Sequence, residues 1–229
     1  MSLIFPASPP ATLPIEGEEG RFPVRRIYCV GRNYAEHARE MGFDPEREPP
    51  FFFMKPSDAL QPSGARIPYP TRTADFHHEI ELVVAIGNRA THIAQEAALG
   101  CVFGYAVGID LTRRDVQIAA RKMGRPWDMG KGFDRSAPCS EIRLASEVNP
   151  TDGDIWLAVN GVTRQRSSLS KQIWSVAEII SELSTYVELM PGDLIFTGTP
   201  EGVGPLNRGD VVTGGIEGVG TIAIEILRD

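Results

Sequence analysis

No stretch of this sequence approaches the ~18 consecutive apolar residues of a membrane span. No basic region leading into an apolar segment opens it, so no signal peptide is expected. Basic residues are in deficit: 23 Lys and Arg stand against 30 Asp and Glu, a net charge of −7. A nucleic-acid binder would show a basic excess, so that class is excluded. Cysteine is scarce, with Cys29, Cys101 and Cys139 far apart, no CxxC pair, and an odd count that cannot pair fully within the chain. Reduced, buried thiols and a cytoplasmic location are the expectation. Internal repeats and low-complexity tracts are absent. What is present is an ordinary globular composition, 42% hydrophobic and 23% charged over 229 residues. That suffices for one good core and one domain. A proline-rich arm with an acidic patch and room for a short strand (residues 1–24) precedes the main domain (residues 25–229).

The central stretch is Phe76-His77-His78-Glu79-Ile80-Glu81-Leu82-Val83-Val84-Ala85-Ile86-Gly87. Its apolar, β-branched run predicts a buried strand. Alternation puts Ile80, Leu82, Val84 and Ile86 on one face, and Glu79, Glu81, Val83 and Ala85 on the other. Two adjacent carboxylates on an apolar strand repel each other and lose hydration. A hard divalent cation such as Mg2+ or Mn2+ removes both penalties; a partly exposed strand end is the alternative.

The glycine-interrupted apolar run of residues 102–110 predicts a second strand ending on Asp110, a third candidate metal oxygen. Thr112 is read as the cap of a following helix that Gly124 stops, with Arg114 and Gln117 on one face, suited to an anionic, oxygen-rich ligand. Upstream, an apolar strand at residues 26–31 leads to a helix over 33–42, with Asn33 as cap and Gly42 as stop. His37 and Glu40 are i and i+3 there, so the carboxylate can orient the imidazole as a general base for water; a surface helix with an incidental pair is the alternative. Residues 44–50 read as a loop and residues 51–55 as a buried strand closed by Pro56. Lys131 lies between two glycines in a segment (125–134) read as irregular, and suits oxyanion stabilisation or, equally, a mobile surface. Thr91 is read as capping a short helix that ends at Gly100. Asn160-Gly161 predicts a hairpin turn. Ser175 to Glu178 is a capping box before the stripe Val176, Ile179, Ile180, Leu183 and Val187. Residues 193–196 form a strand into a loop (197–205) rich in glycine and hydroxyls, whose N–H groups suit a carboxylate or phosphate. That loop lacks the Gly-Lys-Ser/Thr end of a Walker A motif. Two short strands close the chain. Many short strands with three or four helices make an α+β protein.

Five ordered motifs resemble one family. They are Val30-Gly31-Arg32-Asn33-Tyr34 with His37, Glu40 and Met41; Phe53-x-Lys55-Pro56; His78-Glu79-x-Glu81-Leu82; Asp110-Leu111-Thr112-x-Arg114-Asp115-Val116-Gln117; and Thr197-Gly198-Thr199-Pro200-x-Gly202-Val203-Gly204-Pro205. From about residue 26 onward the sequence resembles the fumarylacetoacetate hydrolase family, and within it the short bacterial fumarylpyruvate hydrolases and acylpyruvases. Gly124-Arg125-Pro126-Trp127-Asp128-Met129-Gly130-Lys131 is similar to the fumarylpyruvate branch. The resemblance implies a rolled mixed β-sandwich with a few short helices, assembled as a homodimer. It implies that Glu79, Glu81 and Asp110 hold Mg2+ or Mn2+, that a His37–Glu40 dyad activates water, and that Lys131 assists. Arg32, Arg114, Gln117 and Thr199 would face the substrate.

The activity so implied is hydrolysis of the C–C bond of a 2,4-dioxo acid, fumarylpyruvate giving fumarate and pyruvate in gentisate-type aromatic catabolism. Alternatives that use the same enolate chemistry are oxaloacetate decarboxylation and an isomerase or decarboxylase of a homoprotocatechuate-type pathway. A metal-binding, inactive scaffold is the non-enzyme alternative.

Overall fold

The computed structural model describes residues 3–40 and 48–228. Two mixed sheets dominate. The larger runs in the order Phe51–Lys55, Arg26–Gly31, Asp193–Phe196, Ile80–Ile86, Val102–Ile109, Ala137–Cys139, Leu60–Pro62, with Arg143–Leu144 added beside Val102–Ile109. The smaller runs Val162–Ser168, Asp154–Val159, Val211–Ile216, Gly220–Ile226, Arg66–Ile67. Parallel pairings occur in both, as where Asp193–Phe196 lies along Arg26–Gly31. Helices are short, the longest being Val176–Tyr186 at 11 residues. The rolled α+β sandwich is therefore the fold.

The strand Ile80–Ile86 is buried at every position because it has a core on each face. Ile80, Leu82, Val84 and Ile86 join the main core, which lies between the sheets together with Ile155, Leu157, Ile222 and Ile224. Val83 and Ala85 join a second core on the opposite face, the alternation expected from the sequence. That second core is closed by a hairpin of Thr12–Pro14 and Arg21–Pro23, which inserts Leu13 and Phe22 beside Ile27 and Leu194.

Other local readings hold or shift for identifiable reasons. Asn160 and Gly161 take positive φ (51° and 77°) at the turn between Asp154–Val159 and Val162–Ser168, as a tight hairpin requires. Ser175 caps Val176–Tyr186 with the full reciprocal box. All three cysteines are buried and unpaired. Asn33 caps no helix: its amide bridges Thr197 O, Trp174 O and Trp174 N, tying three segments together. The helix it precedes runs Ala35–Glu40, and the expected stop at Gly42 lies outside the described residues, as does most of the 44–50 loop. Thr91 is likewise no cap, because the helical turn begins at Gln95 after Ala94. Thr112 sits instead in a short strand paired with Phe76–His78, and the helix Arg114–Lys122 starts after Arg113. The side chains of Asn33 and Thr112 have the chemistry of caps but are held by tertiary partners. Residues 51–53 are only half-buried, with Lys55 the one buried member of that strand. Residues 125–134 contain one helical turn, Asp128–Lys131.

Truncating Leu13, which is fully buried, to alanine is expected to destabilise the fold by about 2–4 kcal/mol. A urea unfolding curve measures this. A shift below about 0.5 kcal/mol, the size of a surface change, would mean that the hairpin is not part of the core.

Candidate active site

Antiparallel pairing builds the acid cluster. Ile80 pairs with Ile109 and Glu81 with Gly108, while Asp110 N donates to Glu79 O at 2.8 Å. This brings the carboxylates of Glu79, Glu81 and Asp110 within 4.8 Å of one another, all buried. Opposite Glu81 stands Gly108, where Phe196 and Val83 fill the space a side chain would need; a Cβ there would meet each at 2.5 Å.

Three buried cations surround the three acids. Lys131 comes from the helical turn Asp128–Lys131 and donates to Glu79 Oε2 at 2.8 Å, Asp110 Oδ2 at 2.6 Å and Thr112 Oγ1 at 2.7 Å. All three of its hydrogens are thus directed at protein oxygens. Arg114 bonds Glu79 Oε1 through Nη2, and Gln117 Oε1 through Nη1 at 2.5 Å. Lys55 Nζ lies 2.8 Å from Asp110 Oδ1 and donates to the carbonyls of Leu111 and Lys131. The Asp110 Oδ1 contact is off the hydrogen-bonding direction, so this buried oxygen has no hydrogen-bond donor among the described residues. Lys55 appeared in the sequence only as part of a motif. Its one signal was a charged residue closing an apolar strand before a proline.

The acids respond differently. Burial works against ionisation of Glu79, but Lys131 and Arg114 beside it hold its carboxyl well below the usual carboxylate range. Among the described residues Glu81 has no cation in contact, and its one hydrogen bond is from the Gly198 N–H at 2.7 Å. Burial, then the charges of Asp110 and Glu79, push its carboxyl well above that range. Lys131 is raised: burial opposes its charge, and Asp110 and Glu79 outweigh that. An all-oxygen donor set of three carboxylates, one strained toward protonation and one with an unbonded oxygen, fits a hard divalent cation.

The dyad is formed. His37, 6% exposed, places Nδ1 3.2 Å from Glu40 Oε2. Glu40 also accepts the Gly202 N–H at 3.2 and 3.3 Å. Burial would raise its carboxyl, but the His37 and Gly202 hydrogen bonds lower it. The glycine is needed there: Gly202 has φ +88°, and a Cβ would lie 2.2 Å from Arg164 O. His37, Glu79, Arg114, Gln117, Lys131, Thr199 and Arg32 line one pocket, together with Arg121. Its mouth opens onto an aromatic cleft of Phe51, Phe53 and Trp127. Phe51 meets Trp127 edge-on at 5.1 Å, and the Arg32 guanidinium lies 5.1 Å from the centre of the Phe51 ring. The structure thus brings together every site residue singled out in the sequence, and adds Lys55 and Arg121.

Replacing Lys55 by methionine is expected to destabilise the protein by about 1–3 kcal/mol, since Asp110 then loses one of its two buried countercharges and Lys131 remains. Thermal unfolding checks this, and an unchanged midpoint would show that Asp110 is compensated otherwise.

The family described as Fumarylacetoacetate (FAA) hydrolase C-terminal matches residues 26–227. A fumarylpyruvate hydrolase of Ralstonia sp is 47% identical over 183 residues, covering 80% of this chain and 95% of that protein. The mitochondrial oxaloacetate tautomerase FAHD1 of Homo sapiens is 41% identical over 205 residues, covering 89% and 92%. The crystal structure of fumarylpyruvate hydrolase from Pseudomonas aeruginosa, in complex with Mn2+ and pyruvate, superimposes with a TM-score of 0.97 at 53% identity, covering all of both chains. With the family spanning nearly the whole sequence and the fold matching throughout, this chain belongs to the fumarylacetoacetate hydrolase family.

Proposed function

We propose that this protein is a metal-dependent hydrolase of 2,4-dioxo acids, cleaving fumarylpyruvate to fumarate and pyruvate. The observation that carries the reading is the His37–Glu40 contact beside the Glu79–Glu81–Asp110 cluster, with His37 and Glu79 lining the same pocket. Enolate chemistry alone needs no general base for water; hydrolysis does. The similarity to fumarylpyruvate hydrolases, one of them solved with Mn2+ and pyruvate, supports the same substrate class.

Glu79, Glu81 and Asp110 would hold Mg2+ or Mn2+, which supplies Lewis-acid stabilisation of the pyruvate enolate. The remaining work falls to side chains. Glu40 accepts the His37 Nδ1 hydrogen, which leaves Nε2 free to take a proton from water. The water attacks the carbonyl distal to the carboxylate, and the C–C bond breaks toward the pyruvate side. Lys131 turns its charge to the oxyanion once Glu79 and Asp110 share their negative charge with a bound cation. Arg114, Gln117 and Thr199 bind the oxo-acid end. Arg32 and Arg121, at the pocket lining, suit the second carboxylate of fumarylpyruvate. The protein works as a homodimer, in keeping with Leu3, Ile4 and Phe5, which stand 71%, 94% and 77% exposed on this chain alone. Three unpaired thiols are in keeping with a cytoplasmic setting.

A second reading, enol–keto chemistry on oxaloacetate, is favoured by the similarity to oxaloacetate tautomerases. Pyruvate release from fumarylpyruvate, acetylpyruvate and oxaloacetate, with EDTA and with Mg2+ restored, separates the two. His37→Ala is expected to cut fumarylpyruvate turnover by about 10²–10⁴-fold while Mn2+ binding persists. Turnover of oxaloacetate alone, unaffected by His37→Ala, would sink the hydrolase.

Metal binding should also depend on pH. Without a cation, the folded protein keeps the Glu81 proton above 4.5, the ordinary glutamate value. The folded form then holds more protons than the unfolded chain, so this group's contribution to metal-free stability is present at low pH. It is lost as pH rises through the raised value. Mn2+ must expel that proton, so affinity should strengthen with rising pH across the same window. Calorimetry in buffers of different ionisation enthalpy reads the released proton, and a pH-independent affinity would contradict the assignment.

A further inference from the structure

Gln165 is 1% exposed on the strand Val162–Ser168. The register slips just before it: Leu157 faces Gln165 but Ala158 faces Thr163, which leaves Arg164 as an extra residue. Such a bulge re-aims the next side chain. Here it turns an amide inward beneath the site.

Every hydrogen-bonding position of that amide is filled. Nε2 donates to Thr199 Oγ1 and to Pro200 O, both at 2.8 Å. Oε1 accepts from His78 Nδ1 at 3.0 Å and from Ile80 N at 3.1 Å. Two of the four partners are backbone groups whose polarity cannot change. A reversed amide would set NH2 against the Ile80 N–H and oxygen against the Pro200 carbonyl. The orientation is therefore fixed, and Nδ1 of His78 must be the protonated nitrogen.

The consequence falls on Thr199. Its oxygen receives a hydrogen from Gln165, so its own hydrogen must point elsewhere. The side chain is 2% exposed and lines the pocket with Glu79, Arg114 and Lys131. Among the described residues it has no other bonded partner.

We infer that Gln165 is a positioning residue: it holds the Thr199 hydroxyl as a hydrogen-bond donor directed into the pocket, to an anionic oxygen of the bound oxo acid. This rests on the reading of the pocket as a 2-oxo-acid site. Without the amide N–H, the hydroxyl could turn its hydrogen away and present a lone pair to that oxygen. The same amide ties the loop of Thr199 to His78 and Ile80, which flank Glu79, so the test must separate positioning from scaffolding.

Gln165→Glu keeps the shape but replaces the donor with an acceptor, and so captures the Thr199 hydrogen. With Mn2+ saturating and pyruvate as the probe, titration calorimetry should show Gln165→Glu and Thr199→Val each weakening binding by about tenfold to a hundredfold. KM for fumarylpyruvate should rise in parallel, more than kcat falls. The double variant should be no worse than Thr199→Val alone, because both changes remove the same donation. Wild-type pyruvate affinity in Gln165→Glu, or losses that multiply in the double variant, would overturn the inference. If Gln165→Glu does not fold, Thr199→Ser against Thr199→Val decides: weakened binding in the valine variant with recovery in the serine variant supports the donation, and equal binding in both overturns it. A wild-type protein that binds pyruvate yet cleaves no acylpyruvate would defeat the hydrolase reading while leaving the role of Gln165 to the binding data.

Discussion

The balance of three buried carboxylates against three buried cations governs this molecule. Glu79, Glu81 and Asp110 sit where two apolar cores meet, and water cannot compensate them. Lys55, Lys131 and Arg114 do so instead. Each cation comes from a different element: a sheet strand, a single helical turn and the first residue of a helix. Their recruitment explains features that local propensity does not. A lysine closes an apolar strand, and a helical turn forms in a glycine-rich segment because its Lys131 has three acceptors waiting. The compensation is uneven, and Glu81, held among the described residues only by the Gly198 N–H, keeps an affinity for one more positive charge.

Neutrality also shapes what the pocket accepts. With three acids already matched by three cations, a bound divalent ion leaves an excess of positive charge. A bound anion lowers that excess, and a neutral molecule does not. The cleft beside it, lined by Phe51, Phe53 and Trp127, is a largely apolar passage with few competing hydrogen-bonding groups. Dependence on charge and an apolar passage therefore belong to the same design.

Much of this was legible in the sequence because it rests on short-range periodicity. The Glu79/Glu81 strand, its two faces, the Asp110 strand end, the Asn160-Gly161 turn and the Ser175 box need only neighbours a few residues away. What failed needed partners far off. Asn33, Thr91 and Thr112 have the chemistry of caps, yet Asn33 and Thr112 are claimed by groups distant in the chain and Thr91 lies short of the helical turn. Gln165 had no local signal, since its importance arises from a bulge and from four partners between 34 and 87 residues away. Lys131 was placed correctly between flexible glycines, but its burial depends on where Asp110 and Glu79 arrive.

The strand Asp193–Phe196 lies between Arg26–Gly31 and Ile80–Ile86, two strands made long before it. A chain emerging from the ribosome therefore cannot close its main sheet until nearly its last forty residues appear. Until then those strands present open edges, and the acids lack the Gly198 N–H and the share of the second core that Leu194 and Phe196 supply. Non-local closure of this kind is slow. Glu79 and Glu81, next to and within Ile80–Ile86, are charges of the kind that oppose association of an exposed apolar strand with its copies.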